Sequence, residues 1–300
     1  MSESAYIRHR ETTAEHGQTR DLSYPPAPEP LPVAVYDNHA HLEISDGEQP
    51  LDYHEQVHRA AEVGVIGVIQ VGGDVPTSEW SANVAAVEPR MLAAVAIHPN
   101  EAPNYAAAGT LDAALARIDD LAAMPRTRAI GETGLDYFRT GEEGREAQHY
   151  SFEAHIGLAK KHSIAMQIHD RDAHDDVIAT LLRVSAPDAT VFHCFSGDEA
   201  MARIAADHGW YLSFSGTITF KKNEHLREAL RLIPRELILV ETDAPFLTPT
   251  PFRGRPNAPY LVPITMRAMA EVLDADLGDL CAQVATNTER AYGSWADGLA

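Results

Sequence analysis

Between Val33 and Val240 the chain repeats one pattern: a short apolar run rich in β-branched residues, then a longer stretch whose apolar residues recur every three or four positions. The short runs suit buried strands, and the longer periodicity suits helices with one apolar face. Strands separated by helices cannot turn back as hairpins, so they pair in parallel and the helices cover the sheet. The expected strands are Val33–Asp37, Val65–Val71, Met91–Ile97, Arg128–Gly131, Ile164–Ile168, Thr190–His193, Trp210–Ser213 and Leu237–Val240. The expected helices between and after them are Tyr53–Val63, Leu111–Ala123, Glu143–His162, Asp172–Val184, Glu199–His208 and Glu224–Leu232, with Tyr260–Leu273 and Leu277–Tyr292 closing the chain. Eight strands is the count of an α/β fold of the (β/α)8 TIM-barrel type. A doubly wound sheet would need a glycine-rich phosphate loop after the first strand, and none is present.

Residues 1–32 do not share the pattern. They are polar, then crowded with Pro25, Pro26, Pro28, Pro30 and Pro32, which predicts a poorly ordered arm ahead of one hydrolase domain over residues 33–300. The first residues, including Arg8, His9, Arg10 and Glu11, lack the apolar core of a secretory signal, and no run is long enough for a membrane helix. Two cysteines, Cys194 and Cys281, are too few for a disulfide framework and fit a reducing compartment, so a cytoplasmic protein with no membrane partner is expected. With 24 Lys and Arg against 44 Asp and Glu, the net charge is −20. That charge disfavours gripping long stretches of phosphate backbone, so any nucleic-acid partner must be held locally, with bound cations supplying the positive field.

In a parallel barrel the strands' C-terminal ends build the active site. Metal-competent residues fall there: His39 and His41 after strand one, Glu132 after strand four, His169 after strand five, His193 after strand six and Asp243 after strand eight. His-x-His on extended backbone sends both imidazoles to one side. Imidazole and carboxylate together suit divalent ions such as zinc, manganese or magnesium, and a carboxylate has two oxygens with which to bridge a pair. Two neighbouring ions activate a shared water, so hydrolysis is the expected chemistry. His98, followed by Pro99, reads equally as a hydrogen-bonding or loop residue and is left out of the cage.

The segments Asp37-Asn38-His39-Ala40-His41-Leu42, Ala96-Ile97-His98-Pro99, Ile130 to Tyr137, Gln167-Ile168-His169, Phe192 to Gly197 and Glu241 to Leu247 together resemble the TatD family of metal-dependent deoxyribonucleases, over roughly Val33 to Tyr292. The resemblance implies an amidohydrolase-like barrel with two divalent ions. One would be held by His39, His41, Glu132 and Asp243, the other by Glu132, His169 and His193, with Glu132 bridging. It also implies DNA hydrolysis at single-stranded ends, as a 3′-5′ exonuclease, with Asp243 taking the proton of the attacking water and Glu132 also catalytic. Ala258 departs from the family, which often has Glu after the asparagine of this loop.

Arg171, Lys221, Arg253 and Arg255 lie in expected loops on the ligand rim and are candidates for binding substrate phosphate, while Tyr137 and Phe138 could stack a base. Hydrolysis of another ester, amide or lactone, such as an aminoacyl ester, stays open because this barrel hosts many chemistries. So does a non-catalytic, metal-stabilised binding module.

Overall fold

A computed structural model describes residues 8–13 and 19–298. Eight strands form one sheet: β1 Val35–Ala40, β2 Val65–Val71, β3 Met91–Val95, β4 Thr127–Asp136, β5 Ala165–Arg171, β6 Thr190–Phe192, β7 Tyr211–Phe214 and β8 Ile238–Val240. They pair in sequence order, every pair parallel. The last strand returns to the first: Ala40 and Ala244 form a parallel bridge, and the Asn38 side-chain amide donates to the Val240 carbonyl at 2.8 Å. This is the expected barrel.

The crossovers carry α1 Tyr53–Glu62, α2 Val75–Val87, α3 Ala102–Ala107, α4 Leu111–Ala122, α5 Glu142–His162, α6 His174–Val184, α7 Glu199–His208 and α8 Glu224–Leu232, followed by α9 Val262–Val272 and α10 Leu277–Tyr292. The helices α2 and α3 were not expected. The buried side of α2 is built from Thr77, Ser78, Ser81, Ala82, Val84 and Ala85, small residues that let the helix lie close to the strands but leave little apolar periodicity to read. Its start is well marked, since Asp74 and Thr77 form a reciprocal capping box. The strand β4 also runs longer than expected, because after a register shift Thr133 to Asp136 keep pairing with β5.

Three clusters of buried apolar residues make up the core, the smallest of them around Leu42, Val57, Val68 and Met91. A large one lies between sheet and helices, around Phe152, Ile156, Phe192, Leu212 and Met266. A second gathers Tyr36, Ile69, Leu92, Val191, Leu239, Tyr292 and Trp295. Tyr36 stacks on Trp295 with ring centroids 4.1 Å apart, so the segment after α10 closes the N-terminal end of the barrel. The guanidinium of Arg126 secures that closure by donating to the carbonyls of Ala85, Pro89, Met91, Trp295 and Asp297 at 2.7–3.0 Å.

Where a poorly ordered arm is expected, the described residues of the first 32 lie packed on the barrel. Arg8–His9 pairs in parallel with Ile44–Ser45, just beyond β1. Arg20 and Asp46 form a buried two-pronged ion pair at 2.9 and 2.6 Å. The proline run is held through its carbonyls and one apolar anchor: Tyr260 donates to Pro25, Arg267 donates to Pro30, and Leu31 is buried. Proline removes donors but leaves acceptors, so such a segment can dock without a ladder. Composition signals its lack of regular structure and not its side-chain anchors. Residues 1–7 and 14–18 lie outside the described residues.

Candidate metal centre

The clasp between β1 and β8 is where the centre forms. Asp243 N–H donates to the His39 carbonyl at 2.9 Å, and His41 N–H donates to the Ala244 carbonyl at 2.7 Å. Asp37 ties the same junction by accepting from the Thr242 N–H at 2.9 Å and from its hydroxyl at 2.5 Å. Asp243 itself sits at φ 54°, a left-handed conformation that Asp and Asn adopt more readily than most side chains, and its carboxylate faces His39 and His41. At β4, Gly134 (φ +143°) passes the His169 carbonyl so closely that a Cβ would lie 2.0 Å from that oxygen. Only glycine lets β4 and β5 bring Glu132 and His169 together here.

All six expected ligands converge. Glu132 lies at the middle, with Oε1 3.3 Å from His41 Nε2 and Oε2 3.0 Å from His193 Nε2 and 3.3 Å from His169 Nδ1. Asp243 Oδ1 lies 3.6 Å from His41 Nε2 and 3.8 Å from His39 Nε2. The His39 and His193 rings stack at 3.9 Å. Among the described residues, three groups have ligand atoms within 4.8 Å of one another: His39 with His193 and Asp243, His39 with His41 and Glu132, and His98 with Glu132 and His169.

Which ring nitrogen each histidine offers is set by what the other nitrogen touches. His41 Nδ1 faces the Val71 carbonyl at 3.0 Å and His193 Nδ1 faces Glu241 Oε1 at 3.3 Å. His169 Nε2 faces Asp136 Oδ2 at 3.2 Å. His39 Nδ1 faces Gln167 Oε1 at 3.1 Å, and that amide is oriented because its nitrogen donates to the Asn38 carbonyl. Each outer nitrogen meets an acceptor and so carries the proton, which leaves four lone pairs aimed at Glu132, Asp243 and one another. His39 Nε2 and His41 Nε2 are only 3.2 Å apart. Lone pairs crowded against carboxylates repel unless cations sit among them, so divalent ions fit this donor set.

The titration behaviour agrees. Burial alone would lower His41, yet the Glu132 carboxylate, with Glu43 and Asp243, raises it to about 9. His193 likewise moves well above the ordinary histidine value against its burial, through Glu132 and Glu241. Glu132, despite burial, is held well below the usual carboxylate range by His98, His169 and His193. Burial pushes Asp243 up to about 7. Without cations, protons on the histidines take up the compensating charge, and a divalent ion would displace them.

His98 behaves differently from the cage. Its Nδ1 accepts from the Asn100 N–H at 3.0 Å, which puts the ring proton on Nε2, 3.7 Å from Glu132 Oε2. Burial lowers it to about 3, so it is a neutral ring that faces Glu132 beyond hydrogen-bond distance, and its position would also suit a ligand.

The four expected substrate contacts separate. Arg171 lies over the exposed Phe138 ring at 3.9 Å, and Arg253 lies over Phe220 at 4.0 Å. Lys221 is exposed. Arg255 is not free for substrate: its Nε and Nη2 donate to the carbonyls of Ser23 and Tyr24 at 2.8 Å, so here it tethers the arm. The Tyr137 hydroxyl is likewise taken up, by Asp176 at 2.6 Å. Ala258 is fully buried, and Asn257 holds its loop by donating to the carbonyls of Thr242 and Phe246. Gln167 belongs to the segment Gln167-Ile168-His169, but the sequence assigns it no role; its contact with His39 comes from the fold.

A family model described as TatD related DNase matches residues 36–293. The chain is 42% identical over 263 residues to a Mycobacterium tuberculosis protein named an uncharacterized metal-dependent hydrolase TatD, covering 86% of this chain and 98% of that one. It is 33% identical over 249 residues to an Erwinia tasmaniensis protein named 3'-5' ssDNA/RNA exonuclease TatD, covering 80% and 93%. Among solved structures, YJJV, a TatD homolog from Escherichia coli, superposes with a TM-score of 0.76 at 25% identity, covering 87% of this chain and 98% of that one.

Proposed function

The chain belongs to the TatD-related DNase family and is a metal-dependent hydrolase, and from that premise we propose that it removes nucleotides from the 3′ ends of single-stranded DNA. The observation that carries the reading is the position of Glu132, whose two oxygens face different histidines at 3.0–3.3 Å. That arrangement suits a carboxylate shared by two divalent ions, with His39, His41 and Asp243 on one side and His169 and His193 on the other. Bound there, such ions polarise phosphate oxygens and acidify water.

The chain's own residues supply the rest. Asp243, with Oδ1 3.6 Å from His41 Nε2 at the edge of the cage, is the candidate base. Gln167, Val71, Glu241 and Asp136 hold the imidazoles in the tautomers that face inward. On the rim, Phe138 under Arg171 and Phe220 under Arg253 each offer a ring and a cation, a combination that suits bases and phosphates of a single strand. The printed name of the Erwinia tasmaniensis relative supports a nucleic-acid substrate.

The test is an end-labelled single-stranded oligonucleotide incubated with magnesium or manganese. A 5′-labelled strand should shorten stepwise from its 3′ end. No shortening with any divalent ion, alongside turnover of a small ester or amide, would overturn the reading.

A further inference from the structure

We propose that the N-terminal arm completes the active-site mouth and that Arg10 on it binds an anionic group of the substrate, next to the loop that carries Asp243. The inference deepens the phosphodiester reading and rests on it. Residues 8–32 precede the family match, which begins at residue 36, so the matched family region gives the arm no role.

The arm is anchored to the two loops that bear ligands. Arg8–His9 pairs with Ile44–Ser45, a few residues beyond His41. Arg20 donates to the Gly254 carbonyl at 2.9 Å and to Asp46 at 2.9 and 2.6 Å, and Arg255 reaches back to Ser23 and Tyr24. Between these anchors Arg10 extends over the loop after β8. Its Nη1 donates to the Pro245 carbonyl, two residues past Asp243, and its guanidinium carbon lies 4.9 Å from the Phe246 ring centroid. Phe246 in turn meets His41 edge-on at 6.4 Å.

Two arginines of one arm thus do different things. Arg20 is buried, and each of its guanidinium nitrogens has a partner. Arg10 keeps part of its side chain exposed, and only its Nη1 is engaged among the described residues, by Asp46 at 3.2 Å and by Pro245. Its Nε and Nη2 remain as donors. Asp46 Oδ2 serves both guanidiniums, so two positive charges share one carboxylate. Burial and Arg20 hold the Arg10 pKa below its ordinary value, against the opposing fields of Asp46 and Asp243. One unit of positive charge with two unused donors, set beside a metal cage in a chain of net charge −20, suits a phosphate oxygen.

The test compares Arg10→Ala and Arg10→Lys with wild type, all full-length and magnesium-loaded. Binding of inorganic phosphate is measured by calorimetry, and KM and kcat are measured on a single-stranded oligonucleotide. Arg10→Ala should bind phosphate about tenfold more weakly and raise KM by a similar factor, with kcat within about twofold, and Arg10→Lys should recover part of the loss. Equal phosphate affinity in wild type and Arg10→Ala would overturn the proposal, whatever the oligonucleotide does. A wild-type enzyme that binds phosphate through Arg10 but cleaves no oligonucleotide would sink the phosphodiester reading and leave the anion site standing.

Discussion

The same eight strands end in two different kinds of place. At their N-terminal end Tyr36, Tyr292 and Trp295 pack together, and Arg126 spends its guanidinium on five carbonyls, so this end is held by stacked rings and one fully engaged guanidinium. At their C-terminal end four imidazole lone pairs and the carboxylates of Glu132 and Asp243 are pressed within 4 Å, and Asp243 sits at a positive φ. β1 carries Tyr36 to one end and His39 to the other. The lesson is a division of labour along each strand: one end holds the fold, and the other gathers imidazoles and carboxylates that cations and substrate can engage.

Substitutions at the two ends should therefore separate activity from stability. The largest effect on rate is expected for Asp243→Asn, which keeps shape but not basicity. Its kcat should fall by about 10²–10⁴-fold with little change in Tm. Wild-type rates in that variant would break the assignment. At the other end Trp295→Ala should lower stability by about 3–5 kcal/mol in denaturant melts while the folded fraction keeps its kcat/KM. A loss of rate per folded molecule would mean that the two ends are coupled.

A smaller effect is expected at His98, whose neutral Nε2–H faces Glu132. His98→Ala should weaken metal binding or activity by about 10–100-fold, short of what removing a ligand does. An effect as large as that of His193→Ala would make His98 a ligand.

The smallest effect concerns a histidine outside the cage. His155 in α5 accepts from the Ile97 N–H at 3.0 Å and donates to the Ser151 carbonyl at 2.7 Å, an arrangement that needs the neutral ring. Burial lowers its pKa to about 4, below the unfolded value of 6.5. A depressed pKa gives stability that is present above pH 6.5 and lost as pH falls through about 4. Melts of His155→Gln should show a shallower loss over that window than wild type, and identical slopes would contradict it.

The convergence of the six residues was legible because each is a polar residue near the end of an apolar run, and because parallel topology sends all such ends to one rim. Residues whose role depends on a distant partner were not legible. Gln167 orients His39 across the barrel, and Arg126 finds carbonyls on both sides of the closing segment. Neither pairing leaves a local pattern. α2 escaped because small and polar residues, Thr77, Ser78 and Ser81 among them, make up much of its buried face. The docked arm, and the diversion of Arg255 to it, depend on Arg20 meeting Asp46 across 26 positions, which composition does not encode.

Anomalous diffraction from crystals grown with manganese tests the centre most directly. Two peaks flanking the Glu132 carboxylate are predicted, one beside His39, His41 and Asp243 and the other beside His169 and His193. A cage that takes up no manganese while keeping its histidines in place would contradict the account.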